Sequence, residues 1–224
     1  MKKLKTGVVL GMAFLYTTTF GQAINEAPEQ KNVKTYFDIL VNVAGTNLNY
    51  GDANANVGDY KQSVKGLQLG VSFRAGITPA FSVVSELYYI RKGGNLSNGN
   101  PISLTSNALR MHTAELPVLA RLHLGQFHLN AGPSIAYNFT GSTNFYNNNG
   151  QSAESSTINF RRVEAGVQFG GGFGFMLKQR RVELDVRYAH GLTNMSFNRE
   201  MYSRAIMVSV RFSKAWKTNP FTKH

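Results

Sequence analysis

FSVVSELYYIRKGG, residues 81–94, decides how the chain is read. Phe81, Val83, Leu87 and Tyr89 occupy odd positions, interrupted by Ser85, while Glu86 stands in the middle of the even face. A period of two places these sets on opposite faces of a β-strand, each meeting a different surrounding. The tight, proline-containing turn Ile77-Thr78-Pro79 precedes the segment, and Arg91-Lys92-Gly93-Gly94 leads out of it into polar coil. One end turns sharply and the other wanders, a pattern that recurs along the chain.

Working outward, strands are expected at 34–45, 65–76, from 81 to the loop at 92–106, and at 109–124, 127–139, 159–177, 181–191 and 204–216. Each alternates: Phe37, Ile39, Val41 and Val43 stand against Asp38 and Asn42, and Val182, Leu184, Val186 and Tyr188 against Glu183, Asp185 and Arg187. Long Asn-, Gly- and Ser-rich loops are expected at 46–63, 92–106 and 140–157, with a last one before Tyr202; the turns between them are short, such as Gly125-Gln126. The fold class that follows is all-β: an eight-stranded antiparallel up-and-down transmembrane β-barrel with short periplasmic turns and long extracellular loops. Closure avoids an unpaired edge, and an even strand count brings both termini to the short-turn side.

Three features put the apolar face outside, in lipid. The interior of an eight-stranded barrel holds only packed side chains or one small ligand, too little room for so many apolar and aromatic residues. Gly70, Gly132, Gly166, Gly170, Gly172 and Gly174 fall on the polar face, where a concave surface is crowded. Tyr89, Tyr137, Phe139 and Trp216 fall near strand ends on the apolar face, where an interfacial aromatic girdle sits.

Residues 1–23 read as a signal peptide, with Lys2, Lys3 and Lys5 before the apolar run 7–16. Residues 24–33 read as a periplasmic lead-in, 34–216 as the barrel and 217–224 as a C-terminal tail. Loss of the three signal lysines lowers the formal charge from +12 to about +9. In an exported chain such an excess points to the phosphates of lipopolysaccharide and to outer-membrane lipid rather than to nucleic acid. The absence of cysteine excludes a disulfide scaffold and a thiolate metal site.

On this reading the lumen carries Asp38, Glu86, Glu115, Glu164, Glu183 and Asp185 with Arg74, Arg121, Arg162, Arg187 and Arg211. Near balance of acids and arginines fits a salt-bridged plug better than catalysis, since guanidinium bonds carboxylate bidentately. Lys65, Arg91, Lys92, Arg110, Arg161, Arg199 and Arg204 would ring the loop end. Contact with lipid A phosphates and an ordinary solvated charge belt fit this ring equally well. His112 and His190 are the places to look for hydrolase chemistry, Ser103 and Ser106 preceding the former, but neither has a carboxylate at a spacing that forces a triad. His123 and His128 flank a short turn without an apparent third ligand, so no metal and no cofactor is expected.

Glu86-Leu87-Tyr88-Tyr89 with Lys92-Gly93, then Glu115-Leu116-Pro117-Val118-Leu119, then Ala131-Gly132-Pro133-Ser134, then Tyr188 with Gly191-Leu192-Thr193-Asn194, resemble in order the PorT-like outer-membrane β-barrel family over about residues 34–213. The resemblance implies the outer membrane of a Gram-negative bacterium, barrel-assembly machinery as a partner during insertion, and a family whose namesake assists a protein-secretion system. Barrels of this kind end on an aromatic residue read by that machinery. Here eight residues follow Trp216, so Phe212 or Trp216 would serve from an internal position. The functional expectation is a non-enzymatic barrel with a scaffold, surface-interaction or secretion-accessory role through its loops. A lipid- or peptide-cleaving barrel and a narrow channel are the alternatives.

Overall fold

The computed structural model describes residues 35–101, 106–146, 152–155, 160–177, 180–197 and 200–215. The signal segment, lead-in, Ser103, Arg199, Trp216 and the tail lie outside the described residues. The strands are β1 (Tyr36–Asn49), β2 (Lys61–Thr78), β3 (Phe81–Leu96), β4 (Ser106–Leu124), β5 (Phe127–Tyr146), β6 (Ser152–Ser155), β7 (Val163–Leu177), β8 (Arg180–Gly191) and β9 (Tyr202–Ala215). Eight are long and pair antiparallel with their neighbours, β5 passing over β6 to pair with β7. β9 returns to β1 from Tyr36↔Ala215 to Asn49↔Tyr202, which closes the sheet and leaves the barrel wall no free edge.

β6 was not expected. Among the described residues it pairs with Thr143–Tyr146 at the far end of β5. Several strands also run further than their polar composition suggests: β1 to Asn49, β3 to Leu96 and β5 to Tyr146. Backbone pairing with a neighbouring strand, rather than side-chain propensity, carries these extensions. The expected loop after β1 holds a 3₁₀ helix, Asp52–Tyr60, whose Val57 is fully buried. β7 in turn begins at Val163, four residues later than the alternation suggests.

Which face looks inward follows directly from accessibility. Ile39 is 70% exposed and Ile206 58%, whereas Asp38 is 2% and Glu86 1% exposed. Large apolar side chains stand outward on every long strand, a continuous band far beyond the few hundred Å² that soluble monomers leave uncovered. Lipid is the solvent in which that face costs nothing.

The interior is not uniformly polar. Leu40, Ala44, Tyr88, Ile90 and Met207 pack together in the middle of the lumen. A second apolar cluster, built on Leu48, Tyr50, Val57, Leu96, Leu109, Met111, Met195 and Met201, fills the long-loop end. Glycine lets the wall pack this tightly around long side chains. A Cβ on Gly172 would lie 2.0 Å from the Leu184 carbonyl oxygen and 2.8 Å from the Asp185 Cα, and one on Gly170 would meet the Arg187 Cγ at 2.8 Å.

Candidate functional site: the lumen and its cationic rim

β8 places Glu183, Asp185 and Arg187 at successive inward positions. Glu183 accepts from Arg74 at 2.5 Å, Arg121 at 2.7 Å and Arg181 at 2.7 Å, with Arg211 3.7 Å away. Asp185 lies 3.2 Å from Arg211, 3.3 Å from Arg187 and 3.4 Å from Arg121, and accepts from His128 and Asn130, each at 2.8 Å. Glu86 on β3 meets Arg211 at 2.6 Å and Arg187 at 2.8 Å. Arg74 comes from β2 and Arg121 from β4, so their bonds to β8 cross the lumen rather than follow the sheet. Side chains that are almost wholly buried therefore tie six strands, β2, β3, β4, β5, β8 and β9, together at the short-turn end.

Above this layer the contacts become sparser. Gln168 donates to the Tyr88 hydroxyl at 2.7 Å and to Glu115 at 2.8 Å, and its carbonyl accepts from Arg187 at 3.3 Å. Asp38, 2% exposed, lies level with Ser72 and Ser213. Glu164 accepts from Lys92 at 2.8 Å, Asn138 at 2.5 Å and Ser203 at 3.2 Å.

Two residues stand elsewhere than the alternation implied. Lys92, expected on the rim, is 5% exposed and inside, because β3 continues to Leu96 and gives it an even, inward position. Arg162, expected in the lumen, precedes the start of β7; it is exposed, with Nη1 3.3 Å from the outward Tyr137 hydroxyl. Sequence reasoning also passed over Arg181, Asn130 and Gln168, and read His128 only as a possible ligand. Asn130 and His128 share the even face of β5 opposite Leu129, the signal that could have placed them.

Lys65, Arg91, Arg161 and Arg204 are exposed at the long-loop end, and the partly buried Arg110 donates to Asn95 at 2.7 Å. They follow directly on the apolar band: Lys65 after Leu67, Arg91 after Tyr89, Arg204 before Ile206. In the register Arg91 lies beside His112, and Arg204 beside His190. Every Asp and Glu of the eight long strands is buried in the lumen. The outer wall's charges are thus of one sign.

His112 is hydrogen-bonded to the Tyr89 hydroxyl and His190 lies tilted against Tyr188 at 6.2 Å, both among girdle aromatics. His123 is hydrogen-bonded to Ser82 at 2.8 Å, a contact of hydrolase type, but Ser82 is 2% exposed and a substrate could not reach its hydroxyl. His123 and His128 face each other in the register yet turn to different partners, Ser82 and Asp185. Among the described residues no group of three or more His, Cys, Asp or Glu side chains could hold a metal ion.

Compared with known proteins, residues 20–196 match the family described as outer membrane protein beta-barrel domain. No curated protein matches the chain. Among solved structures, Ail, the attachment invasion locus protein of Yersinia pestis, is 12% identical, with 80% of this chain and 99% of that chain covered and a TM-score of 0.46. The outer membrane protein OprG from Pseudomonas aeruginosa is 11% identical, with 83% and 98% covered and a TM-score of 0.43. Neisserial surface protein A is 10% identical, with 78% and 95% covered and a TM-score of 0.43.

Proposed function

The chain belongs to the outer membrane protein beta-barrel domain family of Gram-negative bacteria, and from that premise we propose that it is a closed, non-enzymatic barrel that works through its loop-end surface. The observation that carries this reading is the filled lumen: guanidinium–carboxylate pairs at one end, Tyr88 and its apolar neighbours in the middle, and the Leu48–Met201 cluster at the other. What remains accessible is the wall and the loops. In planar bilayers the purified protein is expected to give no discrete conductance steps. Stepwise conductance of uniform size would establish the narrow channel instead.

The exposed cations, with no carboxylate on the same wall, support contact with lipopolysaccharide phosphates at the outer leaflet, the long loops being extracellular. The four motifs resembling the PorT-like family support a finer role as a protein-secretion accessory. Their residues Glu86, Tyr88, Lys92 and Glu115 make lumen contacts and so maintain the scaffold, leaving the loops as the surface for partners. In-cell crosslinking and capture of the heat-modifiable folded form tests this. Stoichiometric recovery of secretion-machine proteins is the expected result, and recovery of lipopolysaccharide alone would contradict the secretion role.

A further inference from the structure

We propose that the outer wall at Gly45 is the seat of a phosphate group carried by a glycolipid of the outer leaflet, with Lys65 and Arg204 holding the phosphate from either side. The inference rests on the reading of the loop-end cations as a lipopolysaccharide contact and locates one site within them.

On β1 the outward positions run Val41, Val43, Gly45 and Asn47, so the apolar face ends at a residue with no side chain. In the register Gly45 stands between Lys65 on β2 and Ile206 on β9, and Asn47 is level with Arg204. A Cβ placed on Gly45 would meet nothing within 4 Å. Unlike Gly170 and Gly172, which let the wall close around inward side chains, this glycine opens a dip on the membrane side. Two strand spacings of about 4.8 Å and two residue steps of about 3.4 Å separate the roots of Lys65 and Arg204, roughly 12 Å on the diagonal. Both side chains are long enough to lean over the dip and meet one anion. Asn47 has its Oδ1 engaged by the Leu48 N–H at 2.7 Å, which leaves its amide nitrogen as a donor beside the dip.

Among the described residues neither Lys65 nor Arg204 is ion-paired with a carboxylate. Glu200, the acid nearest to Arg204 along the chain, lies against Gly51 past the end of β1. The two charges are therefore available, and ammonium and guanidinium both donate to phosphate oxygens.

The location selects an amphiphile over a free ion. On the bilayer side of the dip, Val43, Leu67 and Ile206 stand outward and exposed as part of the apolar band. A headgroup phosphate seated over Gly45 leaves its attached acyl chains lying on these side chains, so one molecule satisfies both surfaces. Inorganic phosphate would use only the cations.

The test uses the full chain in nanodiscs containing bisphosphoryl lipid A or its dephosphorylated form, with native mass spectrometry reading the lipid A retained after detergent washing. Wild type is expected to retain the phosphorylated form, and K65Q/R204Q to reduce that retention by at least about tenfold through the loss of two charge-assisted contacts. G45L keeps both charges but fills the dip, and is expected to reduce retention to a similar extent by steric exclusion. R180Q removes an exposed cation at the short-turn end of β8 and is expected to retain lipid A as wild type does. Heat-modifiable mobility verifies that each variant is folded, and G45V, the smaller filling, stands in if G45L does not fold, with a smaller loss expected.

Unchanged retention in folded K65Q/R204Q overturns the seat. Loss there with wild-type retention in G45L overturns it too but leaves the general rim contact standing. Loss in R180Q equal to that in K65Q/R204Q would make the attraction one of net charge and likewise overturn the seat. Equal retention of the dephosphorylated form removes both the seat and the rim contact. Displacement of lipid A by millimolar inorganic phosphate would overturn the glycolipid assignment and leave a free-phosphate site.

Discussion

Replacing Glu183 with glutamine is expected to cost about 3–5 kcal/mol of folding stability, the usual consequence of breaking a buried ion pair by removing one partner. Glutamine keeps the shape and one acceptor oxygen, so the loss is electrostatic. Glu183 is 0% exposed and receives three guanidiniums, and Arg74 makes its only described ion pair there. Without the carboxylate, Arg74 and Arg121 remain inside the barrel at 3% and 1% exposure with their charge undercompensated. Urea unfolding in lipid, followed by heat-modifiable mobility, measures the cost. Adding Arg74→Gln to Glu183→Gln is expected to restore part of it, because the second substitution removes one of the stranded charges. Glu115→Gln provides the contrast, since Glu115 accepts from the neutral Gln168 and its replacement should cost only about 1 kcal/mol. A Glu183→Gln loss no larger than that of Glu115→Gln would mean that the pairs are solvated and the charged layer does not close the lumen.

Val41→Arg is expected to cost about 2–4 kcal/mol, the penalty for a cation on the lipid face near the bilayer midplane. Val41 lies in the middle of the outward run from Phe37 to Val43, with Leu69 and Val210 beside it in the register. Ser63→Arg, also outward but beyond Lys65 at the long-loop end of β2, is expected to cost about 0–1 kcal/mol, as for cations near the interface. Refolding both variants into bilayers of defined thickness and measuring their unfolding free energies checks the difference. A surface facing water would accept either arginine at little cost. Equal penalties at the two depths would therefore contradict a bilayer around this wall.

The inward and outward sets of the long strands were legible because alternation is local: a side chain's face is set by its neighbours two residues away. The same reasoning failed where the limits of a strand were misjudged. Lys92 moved inside because β3 continues past the expected loop boundary, and Arg162 moved outside because β7 starts late. Polar stretches such as Thr46–Asn49 look like coil in isolation, yet β9 pairs with them to the end. The apolar cluster at the long-loop end was hidden for a related reason. Val57, Met195 and Met201 lie in loops without strand periodicity, and only the fold brings them together with Leu48 and Leu109.

The sequence by itself determined that the chain forms an eight-stranded antiparallel meander with an apolar and a charged face, because both follow from periods and turns a few residues long. It also supplied the inward carboxylates and most of the arginines that meet them. Only the tertiary structure decided that Arg74 and Arg121 share Glu183 and that Arg211 bridges Glu86 and Asp185. The bonds of Arg74 and Arg121 to Glu183 and of Arg211 to Glu86 join strands that are not neighbours. They follow from the register and closure of the whole sheet, which no local stretch of sequence contains.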